Sequence, residues 1–112
     1  MGHHPFAGRR GSDARWRFAV ELWQAQGGVC RMCGSAIRPT LSGEDCHVDH
    51  LRPHQLRPDL AFELSNLQLV CVPCHGICQS IEKRSGSDAD LVLRRKRAYR
   101  PVGPDGYPID MA

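Results

Sequence analysis

The chain has 112 residues, of which 41% are hydrophobic and 24% charged, values typical of one small globular domain rather than a disordered or fibrous protein. So short a chain buries a modest core, and aromatic residues make up only 6% of it, so a metal or disulfides are expected to add stability. The formal net charge of +3 is weak evidence by itself, but basic residues cluster near both ends. That distribution favours a polyanionic partner, with a solvated helix face as the alternative.

The cellular compartment can be argued from the N-terminal segment. Its first ten residues contain no apolar region of the kind that a signal peptide has, and no stretch of the chain is long enough to span a membrane. A cytoplasmic protein is therefore expected. Thiols stay reduced in that compartment, so two Cys-x-x-Cys pairs among six cysteines favour zinc over disulfides.

The predicted elements begin with a flexible arm over residues 1–11, which precedes a domain over residues 12–98. Ser12 and Asp13 are suited to capping a helix that runs from about residue 14 to residue 26. An apolar stripe at i, i+4 and i+7 gives this helix a packing face: Trp16, Val20 and Trp23.

After this helix the sequence predicts a zinc knuckle at residues 29–34 and a short strand at residues 46–51. Residues 64–70 are predicted to form a turn that leads into a second knuckle. Two helices are expected next, over about residues 74–83 and about residues 88–98. An extended arm rich in proline and glycine is expected over residues 99–112.

Four cysteines at Cys-x-x-Cys spacing are predicted to bind a structural Zn²⁺: Cys30, Cys33, Cys71 and Cys74. Four thiolates complete a tetrahedral shell, so this site is closed and stabilises the fold. Its contribution to folding is on the order of 10 kcal/mol. Cys46 and Cys78 are predicted to be small buried residues, with Cys78 in place of Cys74 as the alternative.

A second, open metal site is predicted from three residues near the cysteine pairs. Asp49 offers a hard oxygen ligand, His50 is a base near neutral pH, and His75 follows a zinc thiolate. Neighbouring side chains on a strand point to opposite faces, so Asp49 and His50 share a site only if the strand ends there, as Pro53 suggests. The alternative is that these are separate polar surface residues.

The order of these motifs resembles the HNH endonuclease family over about residues 29–84. The motifs are Cys30-x-x-Cys33, His47-Val48-Asp49-His50, Asn66-Leu67-Gln68 and Cys71-x-x-Cys74-His75. The resemblance implies an α+β fold, with a small ββα-metal core of the His-Me finger or treble-clef-like type, flanking helices and a zinc bound by four cysteines. The flanking segments are similar to those of small phage and prophage HNH proteins, which implies a bacterial host cytoplasm and phage packaging machinery as a partner.

The resemblance also implies a role for each residue of the site. His50 would be the general base, and Asp49 and His75 would bind a catalytic divalent ion, Mg²⁺, Mn²⁺ or another. Asn66 would orient His50 or support the metal site. Two further candidates lie nearby, His47 and Gln79. Gln79 lies in the turn where many relatives carry a lysine or a second histidine.

The preferred hypothesis from the sequence is a metal-dependent DNA endonuclease that hydrolyses phosphodiester bonds, nicking or cleaving the duplex. Five basic residues are predicted to bind the nucleic acid: Arg52, Arg94, Arg95, Lys96 and Arg97. The alternative is a non-catalytic zinc-binding module that binds nucleic acid or a protein partner and needs only the cysteines. A toxin-like or RNA-directed nuclease would keep the same chemistry.

Overall fold

The computed structural model describes residues 4–41 and 45–100. The first three residues of the predicted arm and residues 101–112 of the predicted tail lie outside the described residues. The described elements follow in chain order as α1 (Gly8–Ala25), β1 (Cys46–His50), β2 (Leu67–Cys71), α2 (Val72–Ser85) and α3 (Ala89–Ala98), with 3-10 turns at Pro58–Leu60 and Leu64–Asn66.

Helix α1 begins at Gly8, six residues earlier than predicted, and Ser12 and Asp13 lie inside it rather than at its cap. Phe6 is buried, so the described part of the predicted flexible arm packs on the core. Gly11 permits this approach, because a Cβ at that position would lie 2.7 Å from the Cα of Phe6. The buried face of α1 is centred on Ala19 and Leu22, whereas the predicted stripe of Trp16, Val20 and Trp23 is half-buried.

The two strands form an antiparallel hairpin whose register pairs Cys46 with Cys71, Asp49 with Gln68 and His50 with Leu67. The strand predicted at residues 46–51 is therefore confirmed. The turn predicted at residues 64–70 is wrong beyond Asn66, because strand β2 begins at Leu67. Its residues Leu67 to Val70 are all buried, so the apolar and polar alternation of a half-exposed strand is missing from this segment.

Helix α2 follows β2 directly and begins two residues before the predicted start, with Pro73 in its first turn, where a missing N–H is tolerated. Helix α3 matches its prediction, since Asp88 accepts a hydrogen bond from Leu91 N at 3.0 Å and caps it. Helices α1 and α2 both contact the hairpin, and α3 packs on α2. Among the described residues, no helix combines the length and apolar character that crossing a bilayer requires.

The predicted α+β class is confirmed: a β-hairpin followed by a helix carries the cysteine cluster, and further helices flank it. The core lies between the hairpin and its helices and includes several side chains that are almost fully enclosed: Cys30, Leu69, Val70, Cys78 and Val92. Residues at the end of β1 and at the start of α2 are thereby brought together.

Candidate active site and zinc cluster

The four predicted zinc ligands lie in one cluster, with their Sγ atoms all within 4.8 Å of one another. The Sγ atoms of Cys33 and Cys71 are 3.6 Å apart. A tetrahedral zinc with Zn–S bonds of about 2.3 Å separates its sulfurs by about 3.8 Å, so the cluster fits this ion. Two backbone features build it: Gly34 adopts φ 77° and closes the first knuckle, and Cys71 N donates to Cys30 Sγ at 3.4 Å.

The environment of Cys33 favours the thiolate that zinc requires. Burial opposes the charged form, but hydrogen bonding with Ser35, whose Oγ lies 2.9 Å from Cys33 Sγ, lowers the Cys33 pKa to about 7. Cys78 stays outside the cluster, where its thiol donates to Met32 Sδ at 3.2 Å, and burial raises its pKa. Cys46 and Cys78 are both buried, as predicted for small apolar residues.

A groove of about 230 Å³ lies where β1 ends beside α2. It is lined by three of the predicted site residues, Asp49, His50 and His75, and by the candidate Gln79. Strand β1 ends at His50, so the strand termination that the sequence required for Asp49 and His50 to share a site is present. The groove also contains His54, which the sequence places near the site as a residue that could assist, and two residues that the sequence did not single out: His4 and Glu82.

His50 is buried, and its Nε2 lies 3.0 Å from the carbonyl oxygen of Ala61. A carbonyl can only accept, so Nε2 carries the proton and Nδ1 is the nitrogen of the neutral ring that can accept one. Burial lowers the pKa of His50, which keeps the ring neutral at pH 7. The ring of Phe6 stacks on the imidazole at a centroid distance of 5.3 Å and an interplanar angle of 22°.

Asp49 is buried, and its carboxylate already has two protein donors. Lys96 Nζ lies 3.1 Å from Oδ1 and 3.0 Å from Oδ2, and Gln68 Nε2 donates to Oδ2 at 2.9 Å. Lys96 contacts both carboxylate oxygens, whereas Gln68 contacts Oδ2 alone, so Oδ1 keeps more of its capacity to accept. The donor set of Asp49 and His75 fits a divalent ion that takes a single oxygen from Asp49.

Asn66 does not contact the His50 side chain in the hydrogen bonds of the described residues. Its amide accepts from Arg52 N at 2.9 Å and donates to Arg52 O at 3.0 Å. Both hydrogen bonds are to the backbone of the turn after His50. The predicted orienting bond from Asn66 to His50 is therefore replaced by the bond to Ala61. Asn66 supports the site through the backbone of the turn.

The remaining site candidates lie along one face of α2 and beside it. His75, Gln79 and Glu82 follow one another at i, i+4 and i+7 and line the groove together. The ring of His47 stacks on that of His75 with a centroid distance of 4.0 Å and an interplanar angle of 14°. Within the described ranges, the four cysteines are the only set of three or more potential ligands that is closely grouped.

The predicted nucleic-acid-binding residues divide into two groups. Arg94, Arg95 and Arg97 are exposed on α3, and Arg52 is half-buried with its Nε 2.8 Å from Asp90 Oδ1. The prediction for Lys96 is wrong, because its side chain has 0% exposure and pairs with Asp49. An ammonium buried among carboxylates cannot contact a phosphate backbone.

Sequence reasoning missed several residues of the site for different reasons. Glu82 had a usable signal, since its spacing from His75 and Gln79 places all three on one helix face. Gln68 would have followed from recognising β2, because it lies directly opposite Asp49. Nothing in the local sequence connects His4 or Phe6 to His50, since those contacts depend on how α1 is placed.

Comparison with known families agrees with this arrangement. The family model described as HNH endonuclease matches residues 30–79, which include both cysteine pairs, all of β1 and β2, and the first half of α2. No curated protein and no solved structure matches the chain. Residues 30–79 of this chain therefore form a domain of the HNH endonuclease family, with a four-cysteine cluster suited to zinc.

Proposed function

We propose that this protein is a metal-dependent endonuclease that hydrolyses phosphodiester bonds in DNA, with His50 as the general base. The observation that carries the proposal is the hydrogen bond of His50 Nε2 to the Ala61 carbonyl at 3.0 Å. It leaves Nδ1 as the proton acceptor in a groove shared with Asp49 and His75.

In this proposal His50 Nδ1 takes a proton from a water molecule, whose oxygen attacks the scissile phosphorus in line. The Ala61 carbonyl then stabilises the imidazolium that forms, since it accepts from the opposite nitrogen. Phe6 and the turn clasped by Asn66 hold the ring and its backbone in place during the transfer. The lowered pKa of His50 keeps the base in its reactive neutral form at physiological pH.

Asp49 and His75 are the residues that would hold the catalytic divalent ion, with His47 and Gln79 as further candidates. A bound Mg²⁺ or Mn²⁺ supplies Lewis-acid stabilisation of the charge on the phosphate and the departing 3′ oxygen. Zinc is assigned to the cysteines instead, because thiolates prefer it to the harder ions.

The exposed arginines of α3 and Arg52 would bind the DNA backbone. Contacts of guanidinium groups with phosphates position the duplex without reading its sequence. This arrangement is consistent with nicking or cleaving duplex DNA during phage DNA processing, the context that the flanking segments suggest. Co-purification with phage packaging proteins from an infected host would test that context, and cleavage of duplex, single-stranded and RNA substrates would test the substrate class.

A plasmid-nicking assay with Mg²⁺ or Mn²⁺ tests the catalytic proposal through two substitutions of the base. His50→Ala removes the imidazole, and His50→Gln retains an N–H that can bond to Ala61 but has no base of suitable pKa. We expect both variants to lose about 10²-fold or more of the activity. His54→Ala, which removes a neighbouring imidazole, is the matched control, with zinc content checking the fold. Equal cleavage by wild type and both His50 variants refutes the base assignment.

The second candidate function is a non-catalytic zinc module that binds nucleic acid or a protein. The pairing of Asp49 with Lys96 favours this alternative, because the carboxylate is already neutralised by a protein cation. Titration of the zinc-loaded protein with Mn²⁺ separates the two functions. Saturable binding that Asp49→Asn abolishes supports the nuclease, and absence of any binding supports the module.

A further inference from the structure

Lys96 carries a fully buried ammonium group that is surrounded by oxygen atoms. Its Nζ lies 2.6 Å from the His50 carbonyl oxygen, 3.1 Å from Glu82 Oε2, and 3.0 and 3.1 Å from the two oxygens of Asp49. An ammonium has three N–H donors, so every donor has an oxygen partner. The side chain crosses from α3 to β1 and also joins α2 through Glu82.

Burying an isolated ammonium or carboxylate is unfavourable, and each ion here offsets the burial of another. Asp49 is 4% exposed and Glu82 is 34% exposed on their side chains, so Asp49 depends on Lys96 far more than Glu82 does. Two carboxylates and a carbonyl around one cation are also the ligand types that a hard divalent ion selects. The ammonium therefore occupies a cation position built from oxygen atoms.

We infer that Lys96 is a built-in cation, held in an oxygen site formed by Asp49, Glu82 and the His50 carbonyl, and that its removal opens this site to a divalent ion. The inference rests on the proposed function in taking Asp49 as a residue suited to metal. Lys96 lies outside residues 30–79, so the charge is supplied by a helix beyond the family match. The turn after Cys74 and His75 has Ile77 and Cys78 and supplies no cation itself.

This arrangement has a consequence for the wild-type protein. Because Lys96 contacts both oxygens of Asp49 and Gln68 contacts one of them, a catalytic ion must share the carboxylate with the ammonium. The positive charge of Lys96 also repels a second cation nearby. The wild-type groove is thus assembled without a divalent ion and binds one weakly, whereas a variant without Lys96 would require one.

The test compares Lys96→Gln with wild type and with Lys83→Gln, a matched substitution at an exposed lysine of α2. Each protein is loaded with zinc, and thermal unfolding and Mn²⁺ affinity are measured with increasing Mn²⁺. We expect Lys96→Gln to lower the melting temperature by roughly 10 °C or more without Mn²⁺, since it leaves Asp49 buried and unpaired. Mn²⁺ should then raise the melting temperature of Lys96→Gln more than that of the two controls and bind it at least about tenfold more tightly. Lys96→Arg retains the charge, so it should gain no Mn²⁺ effect beyond that of wild type, although its larger side chain lowers the melting temperature.

A purely structural role for Lys96 predicts the same loss of stability with and without Mn²⁺, and that result overturns the inference. If Lys96→Gln is unfolded without Mn²⁺, circular dichroism measures whether Mn²⁺ restores the helices, and failure to do so also overturns it. The double variant Lys96→Gln, Glu82→Gln should lose the added Mn²⁺ effect. If the double variant keeps that effect, the ion binds elsewhere and the inference is overturned. Absence of cleavage by wild type refutes the proposed nuclease but leaves this outcome unchanged, so the two failures are distinguishable.

Discussion

The side-chain amide of Asn66 pairs with both backbone groups of Arg52, accepting from its N–H at 2.9 Å and donating to its carbonyl at 3.0 Å. Leu51 N donates to Asn66 O at 2.8 Å in the same region. These bonds join the residue before β2 to the turn after β1, so the position of His50 depends on an amide that never touches its ring.

Asn66→Ala should therefore destabilise the protein by about 1–3 kcal/mol, because it removes two hydrogen bonds to the part-buried backbone of Arg52. Urea unfolding measures the change, with the neighbouring exposed Ser65→Ala as the control. Asn66→Asp keeps the acceptor but places a buried carboxylate beside the Arg52 carbonyl, so it should not restore the stability of wild type. Equal stability of Asn66→Ala and Ser65→Ala would contradict the assigned role.

Removal of the zinc should unfold the protein. The cluster joins the knuckle before β1 to the start of α2, and a structural zinc contributes on the order of 10 kcal/mol to domains of this kind. We expect one zinc per chain by elemental analysis and loss of helical circular dichroism with a strong chelator. Cys74→Ser should lower the zinc content, whereas Cys46→Ser should retain it, and loss of zinc in both would refute the ligand assignment.

Stability should fall as the pH drops below about 6.5. Burial lowers the pKa of His4, His50 and His54 from the ordinary 6.5, so between the lowered values and 6.5 the unfolded chain binds more protons than the folded one. The free energy of unfolding should be level above about pH 7 and decrease towards about pH 5. Zinc loss acts in the same direction, so the zinc content is measured at each pH. His54→Gln should flatten the profile relative to wild type, and an unchanged profile would contradict this origin.

DNA binding should depend on the exposed arginines of α3 and fall steeply with salt. Substituting Arg94 and Arg97 together by Gln should reduce the slope of log K against log salt by about 0.9 for each phosphate that the variant no longer neutralises. Fluorescence anisotropy between low and moderate salt measures the slope. Arg57→Gln is the control, because Arg57 lies before the 3-10 turn at Pro58–Leu60 and not on α3, and it should leave the slope unchanged. An equal slope for the double variant and wild type would place the DNA on another face.

Phe6 should contribute strongly to stability despite its place near the N-terminus. It is 8% exposed and packs against His50 and Phe18, with ring centroids at 5.3 and 6.1 Å. Phe6→Ala should cost about 3–5 kcal/mol. Phe62→Ala is the matched control, since that ring is 53% exposed, and its cost by urea unfolding should be much smaller. A similar cost for both would show that Phe6 does not anchor the segment.

The elements that the sequence predicted well have local signals. The Cys-x-x-Cys spacing predicts the cluster, and Asp88 predicts the start of α3 because a cap bonds within its own turn. Strand β2 was missed because it is buried on both faces, so its pattern lacks alternation. The early start of α1 was missed because it depends on the burial of Phe6 in the core, which no local pattern predicts.

In the candidate site, too, the residues with local sequence signals were predicted and those that depend on tertiary contacts were not. Asp49, His50 and His75 belong to short local motifs, and the groove contains all three. In the sequence Lys96 is one basic residue in a run, and its neighbours are arginines that do reach solvent. Its partner Asp49 lies 47 positions away in the chain, and no local pattern records a contact of that separation. The division into an arm, a nuclease domain and a tail stays a prediction.

Two residues limit how far this domain can be truncated or grafted onto another protein: Phe6, through its ring, and Lys96, through its ammonium. A fragment confined to residues 30–79 would keep every cysteine ligand, Asp49, His50 and His75, yet Asp49 would have no counter-charge and His50 no stacked ring. Such a fragment could be loaded with zinc and still have a misshapen groove. The smallest autonomous unit that we would graft onto another protein therefore extends from before Phe6 to beyond Lys96.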